Sequence, residues 1–175
     1  MNTVLSGEIS SVGEFLAHAL EMEVESAERY RELADAMQVH NNPQVAALFR
    51  TLAAEGHVHA QQVMQHAAGE DLPDIAPWAF KWTSPDGPES APLDEVHYLM
   101  SRRQALQLAL HNESRGHAFY LQVAEGSANA EVRQLAAEMA AEEGAHVQML
   151  RQWLAQEGDS EPVTQDDLDP PCQPG

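Results

Sequence analysis

The sequence predicts an all-α protein built as a four-helix bundle, with two antiparallel helical hairpins joined by a long crossover. Three observations carry that expectation. Four segments of the 175-residue chain place apolar residues at alternating steps of four and three, the spacing of a single helix face. Each segment is bounded by residues that start and stop helices. The connections between them are short, long and short in turn.

The first helix is expected from about Val12 to Gln38, opened by a capping box in "SVGE" in which Ser11 caps and Glu14 reaches back. The second is expected from about Pro43 to Ala68, with Asn42 placed to cap, Pro43 suited to the first turn and Gly69 to the stop. The third runs from about Arg102 to Glu125, after Ser101 and before Gly126. The fourth runs from about Ala128 to Glu157 and stops at Gly158. At about 1.5 Å per residue each helix is roughly 35 to 45 Å long, the length of a bundle helix.

The links "VHNN" and "GSAN" are short enough to make helices one and two, and helices three and four, antiparallel neighbours. Residues 69–101 form the crossover, rich in proline and turn signals, with a short helix expected in "LDEVHYLM". Trp78, Phe80 and Trp82 are expected to pack it onto the bundle, a binding role being the alternative. The crossover is long enough to run the length of the bundle, so helix three is expected to begin at the end where helix one begins. Two hairpins with one long crossover make the ferritin-like arrangement. One domain is expected over residues 1–158. The tail, 159–175, has five acidic residues, four prolines and no basic residue, a composition expected to remain largely disordered.

A formal charge of −19, from 28 acidic and 9 basic residues, should repel nucleic acid and anionic membrane and attract cations. The single cysteine, Cys172, excludes a disulfide within the chain and any Cys-x-x-Cys zinc, rubredoxin or iron–sulfur module. The N-terminus lacks a basic segment followed by an apolar run, and no stretch approaches the roughly 18 apolar residues of a membrane span. The expected location is cytoplasmic.

The inward stripes carry the chemistry. Helix one gives Leu16, Leu20, Glu23, Ala27, Tyr30, Ala34, and helix two gives Val45, Phe49, Leu52, Gly56, His59, Val63. Helix three gives Leu106, Leu110, Glu113, His117, Tyr120, Ala124, and helix four gives Val132, Ala136, Met139, Glu143, His146, Leu150. Every series is apolar at its ends and polar in its middle, so carboxylates and imidazoles face one depth of the bundle. A buried carboxylate costs several kcal/mol unless paired, hydrogen-bonded or bound to a metal. Arg29, Arg31, Arg102, Arg103, Arg115 and Arg133 all fall off these stripes, which leaves a cation from solution as the simplest counter-charge. Oxygen and imidazole donors without thiolate favour iron or manganese, with zinc as a further choice. An internal repeat reinforces the pattern: Glu-x6-Tyr occurs at Glu23–Tyr30 and Glu113–Tyr120, and "LAAEGHVHAQQV" aligns with "MAAEEGAHVQML".

The segments "EMEVESAERYRELA", "FRTLAAEGHVHAQQV", "HNESRGHAFYLQVA" and "MAAEEGAHVQML" resemble the four helices of the rubrerythrin branch of the ferritin-like superfamily. The resemblance implies a di-iron or related dinuclear centre, with Glu23 and Glu113 as terminal carboxylates, Glu143 as a bridging one, and His59 and His146 as imidazole ligands. It implies that Tyr30 and Tyr120 hydrogen-bond carboxylates across the bundle, and that the protein is a homodimer. Gly56 departs from the pattern by standing where the family has a second bridging glutamate, and Gly116 by standing where rubrerythrins proper carry an additional one. No rubredoxin domain is expected, since the single cysteine cannot supply its Cys-x-x-Cys ligands.

Glycine inside a helix costs about 1 kcal/mol against alanine, so two glycines at this depth suggest that space is being made for something. Three answers are open at Gly56. Glu55, about 40° around the helix from His59, supplies the missing ligand; or His117, one turn beyond Glu113, does; or the site holds one metal or none. The functional expectation is a non-haem iron centre, dinuclear or mononuclear, that reacts with dioxygen or peroxide, uses an external electron donor, and has an open position beside Gly56. The alternatives are a non-catalytic metal-binding or iron-storage protein and a metal-free structural homologue.

Overall fold

The computed structural model describes residues 7–82, 87–89 and 96–157. Its four long helices are α1 (Val12–Val39), α2 (Pro43–His66), α3 (Arg102–Gly126) and α4 (Ala130–Gln156). Among the described residues the crossover carries a 3-10 turn, Pro77–Ala79. The helices pair as α1 with α2 and α3 with α4, the two expected hairpins. No described helix is long and apolar enough to cross a membrane. The tail 159–175 lies outside the described residues.

Local chemistry sets the helix ends. The Ser11 hydroxyl accepts the Glu14 N–H, while the Glu14 carboxylate takes the N–H of Ser10 rather than closing a box on Ser11. Ser101 and Gln104 form a complete capping box at α3, satisfying two of the donors a helix start leaves unpaired. Asn129 caps α4 through the N–H groups of Glu131 and Val132. Gly69 adopts the left-handed conformation, at φ 95°, soon after α2 ends. Asn42 does not cap α2 with its side chain. Its amide instead donates to the carbonyls of Met100, at 2.8 Å, and Tyr98, at 3.3 Å, tying down the far end of the crossover.

Two apolar clusters fill the bundle, one on each side of a polar layer. One joins Phe15, Leu16 and Met22 of α1 to Val63, Phe119, Tyr120, Val132 and Met139. The other joins Tyr30, Met37, Val45, Phe49 and Leu52 to Leu106, Ala109 and Leu150. The start of α3 therefore packs beside the end of α1, not beside its beginning as the loop length suggested. Because α2 has already returned the chain to the first end, a crossover that runs the length of the bundle delivers α3 to the opposite end.

The crossover docks through Phe80 and Trp82. Their rings stack with centroids 5.0 Å apart, and each meets the ring of His18 edge-on. His18 is fully buried, because the crossover covers that face of α1. Its Nδ1 donates to the Glu14 carbonyl at 2.8 Å, and its Nε2 accepts the Lys81 N–H at 2.9 Å. Trp78, by contrast, is 88% exposed and takes no part in the docking. The helix expected in "LDEVHYLM" lies partly outside the described residues; from Val96 to Met100 the chain is a turn closed by Met100 N–H on His97 O.

Candidate metal centre

Between the two apolar clusters each helix contributes one turn of polar side chains. Glu23 lies between Met22 and Tyr30 on α1, His59 between Leu52 and Val63 on α2, Glu113 between Ala109 and Tyr120 on α3, and Glu143 with His146 between Ala140 and Leu150 on α4. Helical periodicity alone brings these five to one depth.

The side chains converge. His59 Nδ1 lies 3.4 Å from Glu23 Oε2 and 3.9 Å from Glu143 Oε1. His146 Nδ1 lies 3.7 Å from Glu113 Oε2 and 3.6 Å from Glu143 Oε2. The two imidazoles stack, with centroids 4.5 Å apart and planes 14° from parallel. The Tyr120 hydroxyl donates to Glu23 Oε1 across the bundle at 3.2 Å. Tyr30, also fully buried, accepts instead from the Asn112 amide at 3.4 Å.

A sixth residue enters from outside the helices. Glu89, in the crossover, is 3% exposed, and its carboxylate groups with those of Glu23 and Glu143, with one oxygen from each within 4.8 Å of the others. A second group, at the same spacing, comprises His59, Glu143 and His146. Glu143 belongs to both. Glu89 is not legible in the sequence as a site residue, because a proline-rich loop has no periodicity from which to read direction. Half of the signal was nonetheless visible in Gly116. A Cβ built there would collide with the Glu89 carboxylate, 3.0 Å from its Cδ and 3.1 Å from its Cγ.

Gly56 has a different neighbour. A Cβ there would meet Ala27 of α1, at 3.3 Å from its Cβ and 3.4 Å from its N. The side of α2 read as an open position is thus closed by the backbone of α1. His117 lies over Gly144 of α4, whose Cβ would be 3.5 Å from its Nε2. Glu55 is half-buried, and burial raises its carboxyl above the ordinary range while the charge of His59 opposes that shift. Among the described residues neither His117 nor Glu55 joins the two groups.

The electrostatics are those of like charges held together out of water. Burial, then the charges of Glu89, Glu113 and Glu23, hold the Glu143 carboxyl far above the ordinary carboxylate range. Burial and the charges of Glu23 and Glu113 raise Glu89, which the Ser26 hydroxyl partly offsets. Burial also raises Glu113, against the opposing effects of a hydrogen bond with Glu143 and the charge of His59. At His59 burial disfavours the proton, but hydrogen bonding and charge from Glu23, with Glu113 and Glu142, outweigh it. Burial and the neighbouring His59 push His146 down to about 4, so it is neutral and has a lone pair to offer. Burial and the surrounding carboxylates keep the phenol of Tyr120 protonated, as a donor to Glu23 must be.

This donor set fits a divalent cation. Oxygen and imidazole donors without thiolate are the ligands of iron and manganese, and metal binding displaces protons from carboxyl groups that otherwise retain them. Among the described residues four buried side-chain oxygens have no hydrogen-bond partner, and two of them, Glu89 Oε1 and Glu143 Oε2, belong to these carboxylates, the unmet demand an ion would satisfy. A cleft lined by His66, Glu138 and Glu142 among others reaches Glu23, His59 and Glu143 from between α2 and α4.

Comparisons with known proteins agree with this geometry. The family model described as Rubrerythrin matches residues 14–73 and 104–169. The crystal structure of an uncharacterized conserved protein from Magnetospirillum magnetotacticum MS-1 superimposes with a TM-score of 0.66 at 39% identity, covering 83% of this chain and 95% of that one. No curated protein matches. The matched segments take in all but the first two residues of α1 and of α3 and the whole of α2 and α4, and the chain belongs to the rubrerythrin family, in the ferritin-like superfamily.

Proposed function

We propose that the protein binds iron in this layer and uses it to reduce dioxygen or peroxide, with electrons from an external donor. The observation that supports this reading best is the convergence of Glu23, His59, Glu113, Glu143 and His146 in one buried layer. Bound iron would supply the electron transfer to the oxygen substrate. The chain's own residues hold and shape the site. Glu23, Glu113 and Glu143 would supply the anionic ligands that favour the more oxidised ion, and His59 and His146 the neutral ones. Tyr120 fixes the orientation of Glu23 by its hydrogen bond, and the apolar clusters above and below exclude bulk water. Reduction of peroxide to water needs two protons with its two electrons. The polar residues of the α2–α4 cleft, His66, Glu138 and Glu142, give protons and cations a route inward.

Ferrous iron added anaerobically, followed by peroxide and a reductant, tests the proposal. Repeated turnover supports an oxidoreductase. A single stoichiometric oxidation identifies a storage or binding protein, and no binding removes the metal reading altogether.

A further inference from the structure

We propose that Glu89, carried into the bundle by the crossover through the space left by Gly116, is a metal ligand, and that it completes a second ion position with Glu23 and Glu143. The proposal rests on the metal-centre reading above and specifies its stoichiometry: two divalent ions per chain, sharing Glu143.

Four observations support it. Glu89 is as buried as Glu23 and Glu143, each 3% exposed, although it sits in a connection, where a charged side chain ordinarily reaches water. Its Oε1 is buried without a hydrogen-bond partner, as is Glu143 Oε2, and its carboxylate lies within the Glu23–Glu89–Glu143 group. Its carboxylate occupies the space that a side chain at 116 would take, since even a Cβ there would stand 3.0 Å from Glu89 Cδ. Finally, Glu23, Glu89, Glu113 and Glu143 make four buried carboxylates, and two divalent cations balance four negative charges where one cannot. The three-residue group of His59, Glu143 and His146 then holds one ion and the all-carboxylate group the other. Glu143, common to both, is the bridge.

The experiment is metal per chain by elemental analysis, after anaerobic loading with ferrous iron and removal of excess, with the metal-induced rise in melting temperature as a second readout. The parent should hold two ions per chain and Glu89→Gln one, with the metal-induced rise roughly halved. Glutamine has the shape of glutamate without its charge, so metal-free Glu89→Gln should fold at least as stably as the metal-free parent. A second variant, Glu89→Ala with Gly116→Glu, moves the carboxylate from the crossover to α3 and should recover the second ion. A parent and a Glu89→Gln variant that both hold two ions overturn the assignment of Glu89 and leave the metal centre standing. A parent holding one ion overturns the second position. A parent that binds none overturns the metal-centre reading beneath the proposal.

Discussion

Two glycines stand at the same depth on neighbouring helices, and they do opposite things. Gly56 on α2 meets the backbone and Cβ of Ala27, so its missing side chain lets two helices approach closely. Gly116 on α3 meets the carboxylate of Glu89, so its missing side chain admits a group from elsewhere in the chain. In sequence both look like a lost ligand. In space one is a contact between backbones and the other a socket, and only the socket changes the chemistry of the layer.

Substitution at Gly56 should show the largest effect on folding. Gly56→Glu must push α1 and α2 apart, and overpacking of this kind costs about 1 to 3 kcal/mol. We expect a clear loss of stability in urea titration and no additional bound metal; a stable variant with extra metal would make Gly56 a socket too. Gly116→Ala should behave in the contrary way. The metal-free protein should gain up to about 1 kcal/mol, since alanine replaces a helix glycine and the displaced Glu89 regains water, while iron bound per chain falls. Equal losses of stability at both positions would erase the distinction.

Two smaller effects probe what supports each side. Tyr120→Phe removes the hydrogen bond to Glu23 and should cost about 1 kcal/mol, measurable by calorimetry, at a residue that neither glycine touches. His18 holds the crossover, and burial lowers its pKa below the ordinary 6.5, although the Glu14 carbonyl and carboxylate oppose the shift. A histidine that is harder to protonate when folded stabilises the fold fully above pH 6.5, and the contribution is lost as pH falls below that value toward the folded pKa. Protonation also removes the lone pair that accepts the Lys81 N–H. The parent should therefore lose more stability between pH 7.5 and 5.5 than His18→Gln does, and parallel pH profiles would show that His18 does not carry this dependence.

Much of the fold was legible because its signals are local. Ser11, Pro43 and Ser101 mark helix starts within a turn of where they occur, and a step of four and three suffices to put Glu23, His59, Glu113, Glu143 and His146 on inward faces. What the sequence did not disclose depends on the path of the crossover. Glu89 lies in a segment without periodicity, His18 is covered by Phe80 and Trp82 from the crossover, and Trp78, two residues before Phe80, is exposed. Gly116 was legible as a hole. Its occupant lies 27 residues earlier in the chain, beyond the reach of any local rule.

The crossover is pinned on both sides of Glu89, by His18 at Lys81 and by Asn42 at Tyr98 and Met100. A ligand borne on such a strap makes ion binding and the seating of the strap two faces of one equilibrium. On the proposed assignment of Glu89, whatever loosens either anchor would raise the dissociation constant of its ion, and the ion, once bound, would tighten the strap by the same free energy. The helices set where the layer lies, and the connection between the hairpins sets how firmly its second ion is held.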